Sequence, residues 1–201
     1  TAYEIKECDW SSDVCSSDLQ LLCGCVCDMI LKITDRSYME ISVKGKTKNL
    51  TKKETKKIIR YLSEYLLGKK LSKYIYIEVK YQKMRDVYGL CDTIDYECPK
   101  HREFTLFIDK DMSKIQTIKT IIHEMVHVRQ FARKHYDQSG NDFTWMGKRV
   151  KLDQDNYHKM PWEIEAVSYE NPLYEECKEL DRKSTRLNSS HIPLSRMPSS
   201  A

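Results

Sequence analysis

The chain has 201 residues, 40% of them hydrophobic and 32% charged, a balance that predicts one globular domain. Its net charge of +4 is too mild to mark a nucleic-acid partner; it permits one without favouring it. No apolar run reaches the roughly eighteen residues of a membrane span, so no membrane partner is expected and the chain is expected in the cytoplasm of a bacterial or phage-infected cell.

In chain order, 30–34 and 39–44 alternate enough to suggest short strands ending at Gly45. Thr51-Lys-Lys-Glu54 is a capping box. Ile58, Ile59, Leu62, Tyr65 and Leu66 then recur at helical spacing, and Gly68 is a fitting stop. Tyr74 to Tyr81 alternates and is rich in β-branched and aromatic residues, so it predicts a strand. Residues 86–100 read as a loop or irregular hairpin, and Phe104, Leu106 and Ile108 mark a second strong strand. Ser113-x-x-Gln116 opens a helix expected to reach about His135. Phe143 to Leu152 reads as a hairpin or ordered loop, and Pro161 suits the first turn of a last helix.

The chemistry sits on the helix that follows Ser113. Ile121-Ile122-His123-Glu124-Met125-Val126-His127-Val128 reads H-E-x-x-H between apolar flanks. Helix positions four apart lie about 40° apart around the axis, so His123 and His127 point the same way and can bind one ion. Glu124 beside them can hold or deprotonate a metal-bound water. Neutral imidazoles and an open fourth position suit Zn2+. At average residue frequencies the motif arises by chance in about one chain in a hundred of this length, and a surface helix would carry more charge here.

A catalytic zinc site wants a third protein ligand. Arg133 occupies the place of a histidine six residues after His127, and His135 lies off the helix face. His158 remains a candidate. A carboxylate on the Pro161 helix is the better one: Glu163 or Glu165, which cannot both face the metal. Trp162 and Ala166, a large anchor and a small residue, suggest a helix pressed against another. Tyr157 or Tyr169 is available to stabilise an oxyanion.

Together, the strands, the H-E-x-x-H helix and the later glutamate helix resemble the zincin metalloproteases over about residues 50–170. Glu163 and Ala166 match the E-x-x-A pattern of the ImmA/IrrE-like branch, although Val167 stands where Asn or Asp commonly follows. The short layout is also similar to phage SprT-like peptidases, but no H-G pair follows His127. The resemblance implies an α+β fold with a small mixed sheet packed on the active-site helix. It implies a gluzincin-like zinc endopeptidase with Glu124 as catalytic base and His123, His127 and Glu163 as metal ligands, Glu165 being the alternative. Protein or peptide is then the substrate, and the Phe104–Ile108 strand is expected to be a sheet edge that pairs with it. Two other readings are a SprT-like, DNA-associated protease and a non-catalytic, zinc-stabilised binding module. For the latter, Lys52, Lys53, Lys56, Lys57, Lys69, Lys70 and Lys73 supply a basic region.

The ends look foreign. Cys15-Ser16-Ser17-Asp18-Leu19 can be encoded TGC TCT TCC GAT CT, and Asp181-Arg182-Lys183-Ser184 can be encoded GAT CGG AAG AGC, its reverse complement over the shared letters. The string resembles a sequencing-library adapter. Residues 1–19 and 181–201 are therefore expected to be artefactual or disordered tails around a single domain at 20–180, with Met29 a natural start. Cys23, Cys25 and Cys27 are too close for a usual zinc knuckle, and Cys91, Cys98 and His101 read as ordinary side chains of a reducing compartment.

Overall fold

A computed structural model describes residues 39–94, 100–139 and 142–189. The expectations for the N-terminal tail, the 30–34 strand, Cys23, Cys25, Cys27 and Cys98 lie outside the described residues. The described residues fall in one unit, and it is α+β.

Strand β1 (Glu40–Lys44) is followed by helix α1 (Lys52–Ser72). The capping box is complete: Thr51 Oγ1 accepts from Glu54 N at 3.2 Å, and Glu54 Oε2 accepts from Thr51 N at 2.7 Å. At Gly68 the backbone leaves helical geometry (φ 80°, ψ 157°), as its lack of a side chain permits, and one further turn follows. Strand β2 (Tyr76–Gln82) comes next, then β3 (Gly89–Thr93) and β4 (Glu103–Asp109). The sheet order is β1-β2-β4-β3, with β1, β2 and β4 parallel and β3 antiparallel to β4.

This order corrects one expectation. Strand β4 pairs on both sides, Leu106 meeting Val79 of β2 and Cys91 of β3, so it is interior. The terminal strand is β3, drawn from the stretch that read as an irregular hairpin. Phe104, Leu106 and Ile108 are fully buried. Thr105 between them is buried too, which no half-exposed edge strand would tolerate.

Helix α2 (Lys114–Ala132) begins where Ser113 Oγ accepts from Gln116 N at 3.2 Å. It packs on β3 and β4, and α1 packs on β1 and on α2. Ile118, Ile121, Ile122, Met125, Val126 and Val128 are buried, each contributing about 1.5–3 kcal/mol by leaving water. The helix stops three residues before His135. Lys134 adopts φ 56°, Lys134 N donates to Phe131 O at 3.0 Å and His135 N to Gln130 O at 2.8 Å. These two bonds make a Schellman stop. Glycine usually fills that left-handed position; with lysine there, the sequence carried no sign of the ending.

A second sheet of β5 (Tyr136–Ser139), β6 (Asp142–Trp145) and β7 (Lys148–Val150) is antiparallel throughout. The expected hairpin at 143–152 is β6–β7, turned at Met146 (φ 49°) and Gly147 (φ 76°), the positive angles a two-residue hairpin needs. After a 3-10 turn (Tyr157–Lys159), helix α3 (Pro161–Ser189) starts on its proline and packs on α2. Its backbone continues across the boundary expected at 180. Among the described residues no helix is long and apolar enough to cross a membrane. Cys91 and Cys177 are free thiols. Lys52, Lys53, Lys56 and Lys57 lie on the exposed side of α1, where Lys57 Nζ donates to Leu180 O at 2.7 Å.

Leu62 is fully buried in the core that α1 shares with the sheet. Leu62→Ala is expected to lower unfolding free energy by about 2–5 kcal/mol in denaturant titration.

Candidate metal centre

Helix α2 carries His123 and His127 on one side of a cleft, and the first turn of α3 faces them. Much of the buried surface of α2 is aliphatic, and His123 and His127 lie on the part of it that faces α3. What sets α3 there is Trp162, 1% exposed. Its ring lies against Tyr136 at 4.8 Å between centroids and stacks on Phe143 at 6.3 Å. Trp145 and Tyr157 complete the surround. Each such aromatic pair adds about 0.5–1.5 kcal/mol beyond buried area. The second sheet is thus the socket for Trp162, and β5, which supplies Tyr136, is the element sequence reading missed: Tyr-Asp-Gln-Ser has no apolar alternation. Ala166, one turn after Trp162, is fully buried, and its small side chain suits the close approach of the two helices.

Glu163 follows Trp162 and reaches both imidazoles. Its Oε2 lies 3.2 Å from His123 Nε2 and its Oε1 3.4 Å from His127 Nε2. One ligand atom from each of His123, His127 and Glu163 lies within 4.8 Å of the others, spacing that a single ion can bridge. Two imidazoles and one carboxylate are also the donor set that suits zinc with an open position. Glu165 does not join them. It accepts from Arg129 NH2 at 3.3 Å and from Gln130 Nε2 at 2.9 Å, on another side of the helix. His158 is exposed on the 3-10 turn and outside the group. Among the two tyrosines, Tyr157 lines the cleft and interacts with Glu163, whereas Tyr169 accepts from Arg129 NH1 at 2.9 Å.

The far side of each ring is also held. His123 Nδ1 faces Glu170 Oε1 at 3.0 Å, and His127 Nδ1 faces Gln130 Oε1 at 2.8 Å. Neither Glu170 nor Gln130 was singled out in the sequence. A polar residue three positions after His127 on a buried face was the available signal for Gln130.

Charge and burial set the protonation states. Burial opposes charge on His123, but hydrogen bonds to Glu163 and Glu170, with the nearby Glu124, outweigh it and raise the ring to about 10. Burial lowers His127, with the charge of His123 adding to the effect against Glu163. Burial alone would raise Glu163, yet the His123 hydrogen bond and the charges of both histidines hold it below the usual carboxylate range. Glu124 is 5% exposed, and burial pushes it up to about 8 despite the attraction of His123.

Glu124 projects beside this group against β3. A Cβ built on Gly89 would fall 2.5 Å from Glu124 Oε1 and 2.5 Å from Thr120 Cγ2. Glycine at 89 leaves room for the carboxylate, and a side chain there would have to push Glu124 or Thr120 aside. The cleft of about 1150 Å³ is lined by Tyr88, Leu90, Phe131, Tyr136 and Tyr157 around these polar groups.

No protein-family model, no curated protein and no solved structure matches the chain.

Replacing Glu163 by Ala is expected to abolish zinc binding at stoichiometric concentrations, whereas Glu165→Ala should weaken it about tenfold or less, as a residue outside the ligand set does. Competition against a chromophoric chelator reads both. Zinc uptake should also release protons. At pH 7 the His123 ring, with a pKa of about 10, must give up a proton before Nε2 can ligate, and Glu124, at about 8, loses much of its own beside a dication. Calorimetry in buffers of different ionisation enthalpy should find about one to two protons released per zinc, and apparent affinity rising with pH between 6 and about 10.

Proposed function

We propose that the chain is a zinc-dependent endopeptidase of the zincin type, with His123, His127 and Glu163 as ligands and Glu124 as catalytic base. The observation that carries this reading is the convergence of two Nε2 atoms and one carboxylate within 4.8 Å, with a buried carboxylate next to them on the wall of an open cleft. Three ligands among the described residues leave a fourth position free, which favours a catalytic over a structural site.

Zinc, when bound, supplies a Lewis acid that polarises the scissile carbonyl and brings a water's pKa to about 7. The protein's residues do the rest. Glu124 Oε takes the proton of the attacking water and delivers it to the departing amide nitrogen. Its low exposure keeps it close to neutral pH in affinity, so that it both accepts and returns the proton. Tyr157, lining the cleft beside Glu163, is the group placed to donate to the developing oxyanion. The substrate is an extended peptide lying along β3, which is the terminal strand of its sheet among the described residues. Val87, Tyr88 and Leu90 stand exposed there, apolar contacts for side chains of such a peptide.

Purified protein loaded with one equivalent of zinc should cleave an unfolded protein substrate. Glu124→Gln should bind zinc and lose turnover by about 10²–10⁴-fold. Gly89→Ala should do the same more mildly, since the added methyl displaces Glu124 and touches no ligand. Zinc binding with no turnover on unfolded proteins or peptides would overturn the peptidase reading in favour of a zinc-stabilised binding module.

A further inference from the structure

Which imidazole nitrogen can ligate is decided by what the other nitrogen meets. Gln130 is 1% exposed, and its side-chain amide has three close neighbours: His127 Nδ1 at 2.8 Å, the Trp162 carbonyl at 2.9 Å and Glu165 Oε2 at 2.9 Å. The Trp162 carbonyl can only accept, and so can the Glu165 carboxylate. The amide group that faces both is therefore the NH2, and its two protons are used there. Turning the amide over would set Gln130 Oε1 against two other acceptors in a buried place and lose both of these hydrogen bonds. Oε1 consequently faces His127, and Oε1 can only accept. Nε2 faces a second acceptor, Glu163 Oε1, but only at 3.4 Å, so the closer 2.8 Å contact at Nδ1 takes the proton of a neutral ring and the lone pair is left on Nε2.

We infer that Gln130 is a positioning residue that fixes the tautomer and ring angle of His127, and that it does so by reading the docked position of the glutamate helix. The inference rests on the metal reading of the His123, His127 and Glu163 group. Its logic differs from that at His123, whose Nδ1 faces the Glu170 carboxylate, an acceptor however it is turned. The amide of Gln130 has two ends and needs an outside reference to choose between them. Trp162 and Glu165 on α3 are that reference, and Glu165 is itself held by Arg129 NH2 at 3.3 Å. Until α3 seats, Gln130 has no fixed orientation and His127 no fixed tautomer. The helix that delivers the third ligand thus also prepares the second.

The test uses the full chain, metal-free and nitrogen-15 labelled. Long-range proton–nitrogen spectra at a pH where His127 is neutral should show its ring in the Nδ1–H form. Gln130→Met, similar in length and without amide atoms, should show a tautomer mixture and bind zinc about 10–100-fold more weakly by chelator competition. Leu62→Ala, destabilised away from the site, should keep both the wild-type tautomer and the wild-type affinity, which separates positioning from general loss of stability. His127 as the Nε2–H form in the wild type overturns the inference, and so does Gln130→Met with wild-type zinc affinity. Should Gln130→Met fail to fold, the wild-type spectrum still decides. Expected tautomer and affinity results together with absent turnover would overturn the peptidase reading and leave the role of Gln130 standing.

Discussion

The seating of Trp162 against the second sheet is the contact on which the centre depends. Glu163 and Glu170 of α3 reach the two histidines of α2 across the junction of these helices, and polar contacts alone are poor at holding two helices. Taking carboxylates and imidazoles out of water costs several kcal/mol per ion, and mutual attraction offsets that only when geometry is good. The geometry here is set by an apolar event. A large ring, almost wholly buried among Tyr136, Phe143, Trp145 and Tyr157, fixes the first turn of α3. Glu163, the next residue, is thereby carried to the two Nε2 atoms.

The same seating arranges the surrounding polar groups. The Trp162 carbonyl and Glu165 engage Gln130, Glu170 engages His123, and Arg129 ties Glu165 to Tyr169's side of the helix. Successive acidic residues of one helix thus take separate tasks according to the direction in which they leave it. Glu163 faces the imidazoles directly, while Glu165 and Glu170 hold groups behind them. Such outer contacts would keep the proposed ligands within the narrow tolerances that a metal site requires.

On the opposite wall the sheet performs a different service. Strand β4 pairs on both sides, and α2 packs on it and on β3. The outermost strand, β3, passes so near α2 at Gly89 that the Glu124 carboxylate is confined between them. Confinement and low exposure together raise its proton affinity toward neutrality. One strand therefore closes the space around the proposed base and borders the cleft in which an extended chain would lie.

Much of this was legible in residue order. The capping box at Thr51 and Glu54, the strand near Tyr76–Gln82, the start of α2 at Ser113, the β6–β7 hairpin and the proline start of α3 depend on neighbours a few residues apart, and local chemistry decides them. The His123–His127 pair was legible for the same reason, because helix geometry alone puts residues four apart on one side. The order of strands was not: alternation marks Phe104–Ile108 as a strand but is silent on its neighbours, and only long-range pairing made it interior. Nor were β5, the lysine-built end of α2, or the roles of Gln130 and Glu170, since each depends on a partner distant in the chain or on a backbone angle that its residue type does not advertise. Sequence narrowed the acid facing the two histidines to Glu163 or Glu165. Tertiary structure turned Glu163 toward them and Glu165 toward Arg129 and Gln130, because residues two apart on a helix leave it in nearly opposite directions and the docking of Trp162 determines which direction is inward.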